Sequence, residues 1–179
     1  MSEYTEFIAV QSPDVATVVS KLSDHRIMAF VDPFDYPGEP FQLYKDAMKW
    51  IVVTVLNAHA KDVGSLFQKV VYLFEDEDWK SWKITCYWNG DRIWDKQFLE
   101  GHIDRVSEPE LKAVAEFFGT SAKPLKLFLT YSSGGSCMEK FCRAVHIPYA
   151  HMVASITMPS GEDYYSARGF AIDTRTLRG

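Results

Sequence analysis

Cys137, Cys142, His146 and His151 bring two thiols and two imidazoles into one short stretch, and these are the ligand types zinc prefers. Cys142 and His146 stand four apart and would share one face of a helix. Cys137 lies five residues before Cys142, however, and the two-apart cysteine pair of zinc knuckles is missing. The competing reading is buried thiols and a hydrogen-bonded histidine, so no metal or other cofactor is expected. Cys137 also has chemistry of its own. It follows "SSGGS" at the expected start of a helix, where unpaired backbone amides and the helix dipole lower a thiol pKa and attract an anion. That is the setting of a thiolate nucleophile, with Arg143 or a histidine assisting.

Cys137 and Arg143 are separated by five residues, the count used by cysteine-dependent phosphatases. In those enzymes the glycine-rich loop follows the cysteine, whereas here the glycines precede it and the intervening "MEKFC" has none, so the match reads as accidental. The Gly-Xaa-Ser-Xaa-Gly elbow and the phosphate-loop lysine pattern are both absent. His25, His59 and His102 show no pairing that spacing alone certifies, because triads are recognised in space. Glu75, Asp76, Glu77 and Asp78 offer the oxygens a hard cation wants. They lack the alternation and glycine of a calcium loop, and a solvated acidic connection or a contact with a basic partner accounts for them better.

Those residues sit in a chain of 179 residues with a hydrophobic fraction of 47% and an aromatic fraction of 15%, enough for a sizeable core and too apolar for general disorder. One domain over 1–179 is expected, with a sheet portion over 1–106, a helical portion over 107–148 and an extended or partly ordered arm over 149–179. The longest apolar stretch, "WIVVTVL", is too short to span a bilayer. "MSEYTEF" carries acids where a secretory signal would carry Lys or Arg. Three cysteines with no framework spacing suit a reducing compartment, so no membrane is expected and the cytoplasm is the expected location. A net charge of −5 argues against nucleic acid and favours a basic partner.

Two successive strand–helix–strand units are read from the first third. "FIAVQ" leads into "SPDVATVVSKLS", with Ser12 as cap, Pro13 at the first helical position and Asp14 near the positive end of the dipole, and then into the strand "RIMAFVD". "DPFDYPGEPF" is a loop on its prolines and glycine. "WIVVTVL" is a strand rather than the end of a helix over 41–56, because four β-branched residues follow one another. "AKDVGSLFQKV" has Val63, Leu66, Phe67 and Val70 at helical spacing, and "VVYLFE" is the next strand. Downstream, Ser107 and Glu110 form a capping box, with Gly119 as the stop. "KPLKLFLTY" fits helix and strand alike, and Ser136 with Glu139 marks a last helix that ends before Pro148.

The stretch 73–98 holds four tryptophans and reads as a hairpin. A two-residue Asn89-Gly90 turn would set Lys83 against Lys96 and Cys86 against Ile93. A three-residue Asn89-Gly90-Asp91 loop sets Trp82 against Phe98, Cys86 against Trp94 and Trp88 against Arg92, and is preferred. Its rings then form one core face, with Arg92 stacked on a ring, while Lys83, Thr85, Asp95 and Gln97 face solvent.

An acidic cluster at 74–78, aromatics from Trp82 to Trp88, Gly90, and Asp95 before Phe98 together resemble a loosely defined group of uncharacterised bacterial cytosolic proteins. The resemblance covers roughly 50–148, where "HIP" stands for the group's "GIP". It implies no catalytic residue and tilts 125–130 toward helix. The fold expected is α+β: a mostly antiparallel sheet of β-α-β units and the aromatic hairpin, with helices on one face and a helical C-terminal portion. The expected function is non-enzymatic binding of a protein, as an immunity-type inhibitor or adaptor, through Glu75–Asp78 and the loop aromatics Phe34 and Tyr36. The competing readings are an enzyme centred on Cys137 and a small-ligand regulator.

Overall fold

Apolar residues fill both sides of the first strand, β1 (Tyr4–Ser12): Phe7 and Ala9 join one buried cluster, Ile8 and Val10 another. A strand whose alternate side chains are all apolar has to lie inside a sheet with both faces covered. The structure, a computed structural model, shows how this is done for residues 4–31, 48–76, 81–99, 106–130, 137–147 and 172–173, which are the residues it describes.

After β1 come α1 (Val15–Asp24), β2 (Ala29–Val31), β3 (Lys49–Val55), α2 (Ala60–Gly64), β4 (Lys69–Asp76), β5 (Ser81–Trp88) and β6 (Asp91–Leu99). Three helices follow, α3 (Glu108–Phe118), α4 (Ala122–Thr130) and α5 (Cys137–Ala144), and then the short β7 (Ile172–Asp173). The strands form one seven-stranded sheet in the order β6-β5-β4-β1-β3-β2-β7, and every neighbouring pair is antiparallel. β1 and β2 therefore run parallel with β3 between them, and β3 and β4 run parallel with β1 between them. The two β-α-β units interleave in the split, ferredoxin-like manner.

The α+β class and the aromatic hairpin are as expected: the helices of the β-α-β units keep to one face, and the helical C-terminal portion covers the other. α1 and α2 bury Val18, Val19, Leu22 and Val63 against Val10, Val31, Val53 and Val70. α3, α4 and α5 bury Leu111, Phe117, Leu125, Leu129, Met138 and Phe141 against Ala9, Val71, Leu73 and Ile84. The central strands are apolar on both sides, so a single helical layer would leave one side wet. β3 is buried on both faces, as its run of β-branched residues requires, and the helix considered over 41–56 does not form across it. The 122–130 segment is a helix, which resolves that ambiguity. The far end of the C-terminal arm places Ile172 and Asp173 beside β2.

Several local details differ from expectation. The cap of α1 is Asp14, whose carboxylate accepts from the Thr17 N–H at 2.7 Å. Ser12 closes β1 instead, its hydroxyl donating to the Asp14 carbonyl at 3.1 Å. α2 is a single turn: Val63 belongs to it, whereas Val70 is in β4. Gly64 lets that turn sit against the sheet, because a Cβ there would meet the Tyr87 ring at 3.0 Å.

The hairpin combines both of the registers considered. At its tip Asn89 and Gly90, with φ of 50° and 89°, make the two-residue turn that suits the right-handed twist, and Trp88 faces Asp91. Ile93 then enters as a bulge, after which Cys86 faces Trp94 and Trp82 faces Phe98. One extra residue lets the chain keep its favoured turn and its aromatic register together. Arg92 does not stack on a ring as expected; the cation over Trp88 is Lys69, at 5.2 Å.

α3 is bounded as its sequence demands. Ser107 and Glu110 form the capping box, and Gly119 closes the helix at φ 65° with nothing within 4 Å of where a Cβ would stand. Gly119→Ala is thus expected to cost about 1 kcal/mol from backbone strain alone, read as a lower denaturation midpoint at unchanged m-value. The Ser107 backbone N–H, and then its hydroxyl, hold the Glu110 carboxyl below its ordinary 4.5. A depressed folded pKa contributes stability that is present above the unfolded value near 4.5 and is lost as pH falls through the folded one. Glu110→Gln is expected to make the loss of stability below pH 4.5 shallower, as followed by urea melts at stepped pH.

Candidate functional site

Among the described residues the helical layer over one face of the sheet stops short of its outer wing. Beyond Val70 the cross-strand rows on the α1–α2 side read Ile8, Tyr72, Thr85, Asp95, and then Glu6, Phe74, Lys83, Gln97. Tyr72, Phe74, Lys83 and Tyr87 are half-buried there, and Glu6, Asp95, Gln97 and Leu99 are exposed. The opposite side of the same hairpin is the aromatic core face. Trp82 stacks on Phe98 at 4.4 Å between centroids and meets Phe141 of α5 at 5.9 Å.

Asp95 organises the open face. Its carboxylate accepts from the Thr85 hydroxyl at 2.9 Å and lies 3.3 Å from Lys83 and 3.2 Å from Arg92. Thr85, expected to face solvent, is only 4% exposed, because the groups gathered on Asp95 close over it. Next to it the Tyr72 hydroxyl is pushed up, first by burial and then by the charge of Glu6, to which it is hydrogen-bonded. Burial likewise raises Tyr87, with Arg92 opposing and Asp95 adding to the shift. Both phenols stay protonated donors at neutral pH. The arrangement presents rings, donors and charges of both signs on a pleated surface.

Of the four consecutive acids, Glu75 and Asp76 end β4 and point to opposite faces, as neighbours in a strand must. Asp76 lies on the open side, in register with Ser81 and through it with Leu99. Glu75 lies under α5, where its charge adds to burial in raising the Cys142 thiol. The pair therefore does not form one acidic patch. Glu77, Asp78, Phe34, Tyr36 and His151 lie outside the described residues. Among the described residues thirteen Lys and Arg balance thirteen Asp and Glu, so the net charge of −5 belongs to the other segments of the chain.

The C-terminal helix fixes the backbone form of the two spacings considered there. The phosphatase-like spacing from Cys137 to Arg143 falls inside α5, so the intervening residues wind as helix and form no anion-cradling loop. The Arg143 guanidinium donates to the Glu139 carboxylate one turn earlier. The Cys137 side chain and the "SSGGS" segment lie outside the described residues. Cys142 and His146 were expected on one helix face, but the helix ends between them. His146 takes φ 63°, and Ile147 N–H bonds back to the Cys142 carbonyl at 2.8 Å while His146 N–H bonds to Arg143. This is a Schellman close with histidine where glycine is usual. It turns His146 outward and leaves Cys142 fully buried. Among the described residues no three His, Cys, Asp or Glu gather to hold a metal.

One group was not foreseen from sequence. The Lys69 amine donates to the Phe117 carbonyl at 2.6 Å and lies over the Trp88 and Phe117 rings at 5.2 and 5.4 Å. Burial lowers its pKa, and Glu116 opposes the shift. A cation at the last turn of α3 satisfies a carbonyl the helix leaves open, which ties the helical layer to the sheet. The only signal in sequence was a lysine at the head of an otherwise apolar strand.

Cys86 and Cys142 are buried, and burial is the main cause that raises both thiols. Their alkylation at pH 8 is expected to be limited by opening of the fold and to accelerate sharply in denaturant; a native rate equal to that of a small thiol would contradict it. No helix among the described residues is long and apolar enough to cross a membrane. Compared with protein-family models, with curated proteins and with solved structures, the chain matches none, so a functional reading has to start from its own surface.

Proposed function

We propose that this chain is a non-enzymatic binding protein of the cytoplasm, an adaptor or an immunity-type inhibitor, that engages a protein partner on the open face of its β4–β5–β6 wing. One observation carries the reading: the α1–α2 layer ends at Tyr72 and Tyr87, leaving half-buried rings beside exposed groups of both charges. Amphipathic aromatic side chains inside a polar rim are what protein interfaces favour. A protein fits better than nucleic acid, since the described charges balance and the remainder of the chain is acidic.

The acidic surplus supplies steering. Residues 32–47 carry four acids against one lysine, together with Phe34 and Tyr36, and Glu77 and Asp78 are two further acids. Such a field raises the encounter rate with a basic partner and fades with salt. The resemblance to bacterial cytosolic proteins is compatible with this role and contributes no catalytic residue.

Capture from lysate of the source cell at low and high salt tests the reading. The expected outcome is one stoichiometric, salt-sensitive protein. The double variant Lys83→Glu, Gln97→Arg is expected to retain it at least about tenfold less, with an unchanged near-ultraviolet spectrum. A partner held equally by that variant removes the open face from the proposal, and no partner at either salt removes the binding reading altogether.

A further inference from the structure

We propose that β6 is a dimerisation edge, on which a second copy of this chain lays its own β6 antiparallel about a two-fold axis at Trp94. β6 ends the strand order, with β5 on one side and no strand on the other among the described residues. It is nine residues long, and it carries Ile93 and Leu99, exposed by 45% and 43%. A long edge of this kind is a template for another strand unless its charges forbid the match.

The charges of β6 forbid most partners and suit a copy of itself. In order they are Asp91, Arg92, Asp95 and Lys96. With Ile93 left out of the ladder in each copy, as it is against β5, an antiparallel neighbour presents the same series backwards, with every sign opposed: Asp91 meets Lys96 of the copy, Arg92 meets Asp95, and the two-fold repeats both pairs. The register is selective. Moving the axis one position toward the turn sets Arg92 against its own copy, and moving it one position the other way sets Asp95 against its own; like charges directly opposite destabilise a ladder.

The bulge makes this pairing geometrically possible. Arg92 and Asp95 are three apart and would lie on opposite faces of an unbroken strand. The extra residue at Ile93 brings them to one face, where they are 3.2 Å apart. Asp91 and Lys96 then share the other face, where Trp88 and Ile84 stand opposite them in the hairpin register. In the dimer Arg92, Asp95 and Lys96 exchange or share their internal partners for ones across the axis. Because the axis stands perpendicular to the sheet, the two open wing faces lie side by side. The inference uses the edge of the wing and stands independently of what binds its face.

Sedimentation equilibrium of the full chain tests it. The expected result is a reversible monomer–dimer equilibrium that Asp91→Lys and Lys96→Asp each weaken about tenfold or more, since each reversal makes two attractive contacts repulsive. The double variant Asp91→Lys, Lys96→Asp restores the pairing to within about threefold. On the unaltered protein, exchange of the β6 amides slows as concentration rises, a measurement that needs no variant to fold. A chain that stays monomeric up to millimolar concentration overturns the proposal. So does a dimer indifferent to both single reversals, or a folded double variant that does not recover.

Discussion

The structure depends on burying both faces of the central strands. β1 and β3 carry apolar side chains at successive positions, and each fully buried Val, Ile or Phe contributes about 1.5 to 3 kcal/mol relative to exposure. No single layer can collect both sets. The chain answers with two: α1 and α2, threaded through interleaved β-α-β units, close one face, and α3 to α5 close the other. Lys69 joins these levels. Its stem leaves β4 on the second face, and its amine reaches the Phe117 carbonyl between two rings. The contact fastens a helix end that would otherwise hold an unpaired carbonyl against the core.

The outer hairpin behaves differently because its two faces have different fates. Trp82, Cys86, Trp94 and Phe98 fill the core beneath α5, so that side is as apolar as the centre of the sheet. The other side meets no helix among the described residues and is built from ionic and hydroxyl groups converging on Asp95. This asymmetry gives the molecule a surface that mixes half-buried rings with charged groups. Among the described residues it also leaves β6 as an edge strand, with its charges ordered by the bulge.

Much of the hairpin was legible beforehand, and the part that was not is instructive. Cross-strand chemistry identified the Trp82–Phe98 and Cys86–Trp94 pairs, since a like-charge alternative was visible in the residues themselves. Turn chemistry identified Asn89-Gly90. Treating the two as rivals missed the bulge, because nothing local announces that one residue will be left over. The acids at 75 and 76 are adjacent in the sequence, and adjacency in a strand is what separates them. Cys142 and His146 were placed on one helix face by counting, but the helix closes after Ala144 through a left-handed residue that is not glycine.

By itself the sequence determined what depends on neighbours along the chain. The capping box at Ser107 and Glu110, the stop at Gly119, the strand character of 51–54 and the α+β alternation are all local balances of propensity, hydrogen bonding and periodicity. Only the tertiary structure decided what depends on residues far apart. The helices divide between two faces because both faces of β1 and β3 need cover. Lys69 rather than Arg92 meets Trp88 because β4 carries it there, and Thr85 is buried because Asp95 gathers cations over it. Burial and charge pairing act through space, and sequence spacing alone carries no measure of that distance.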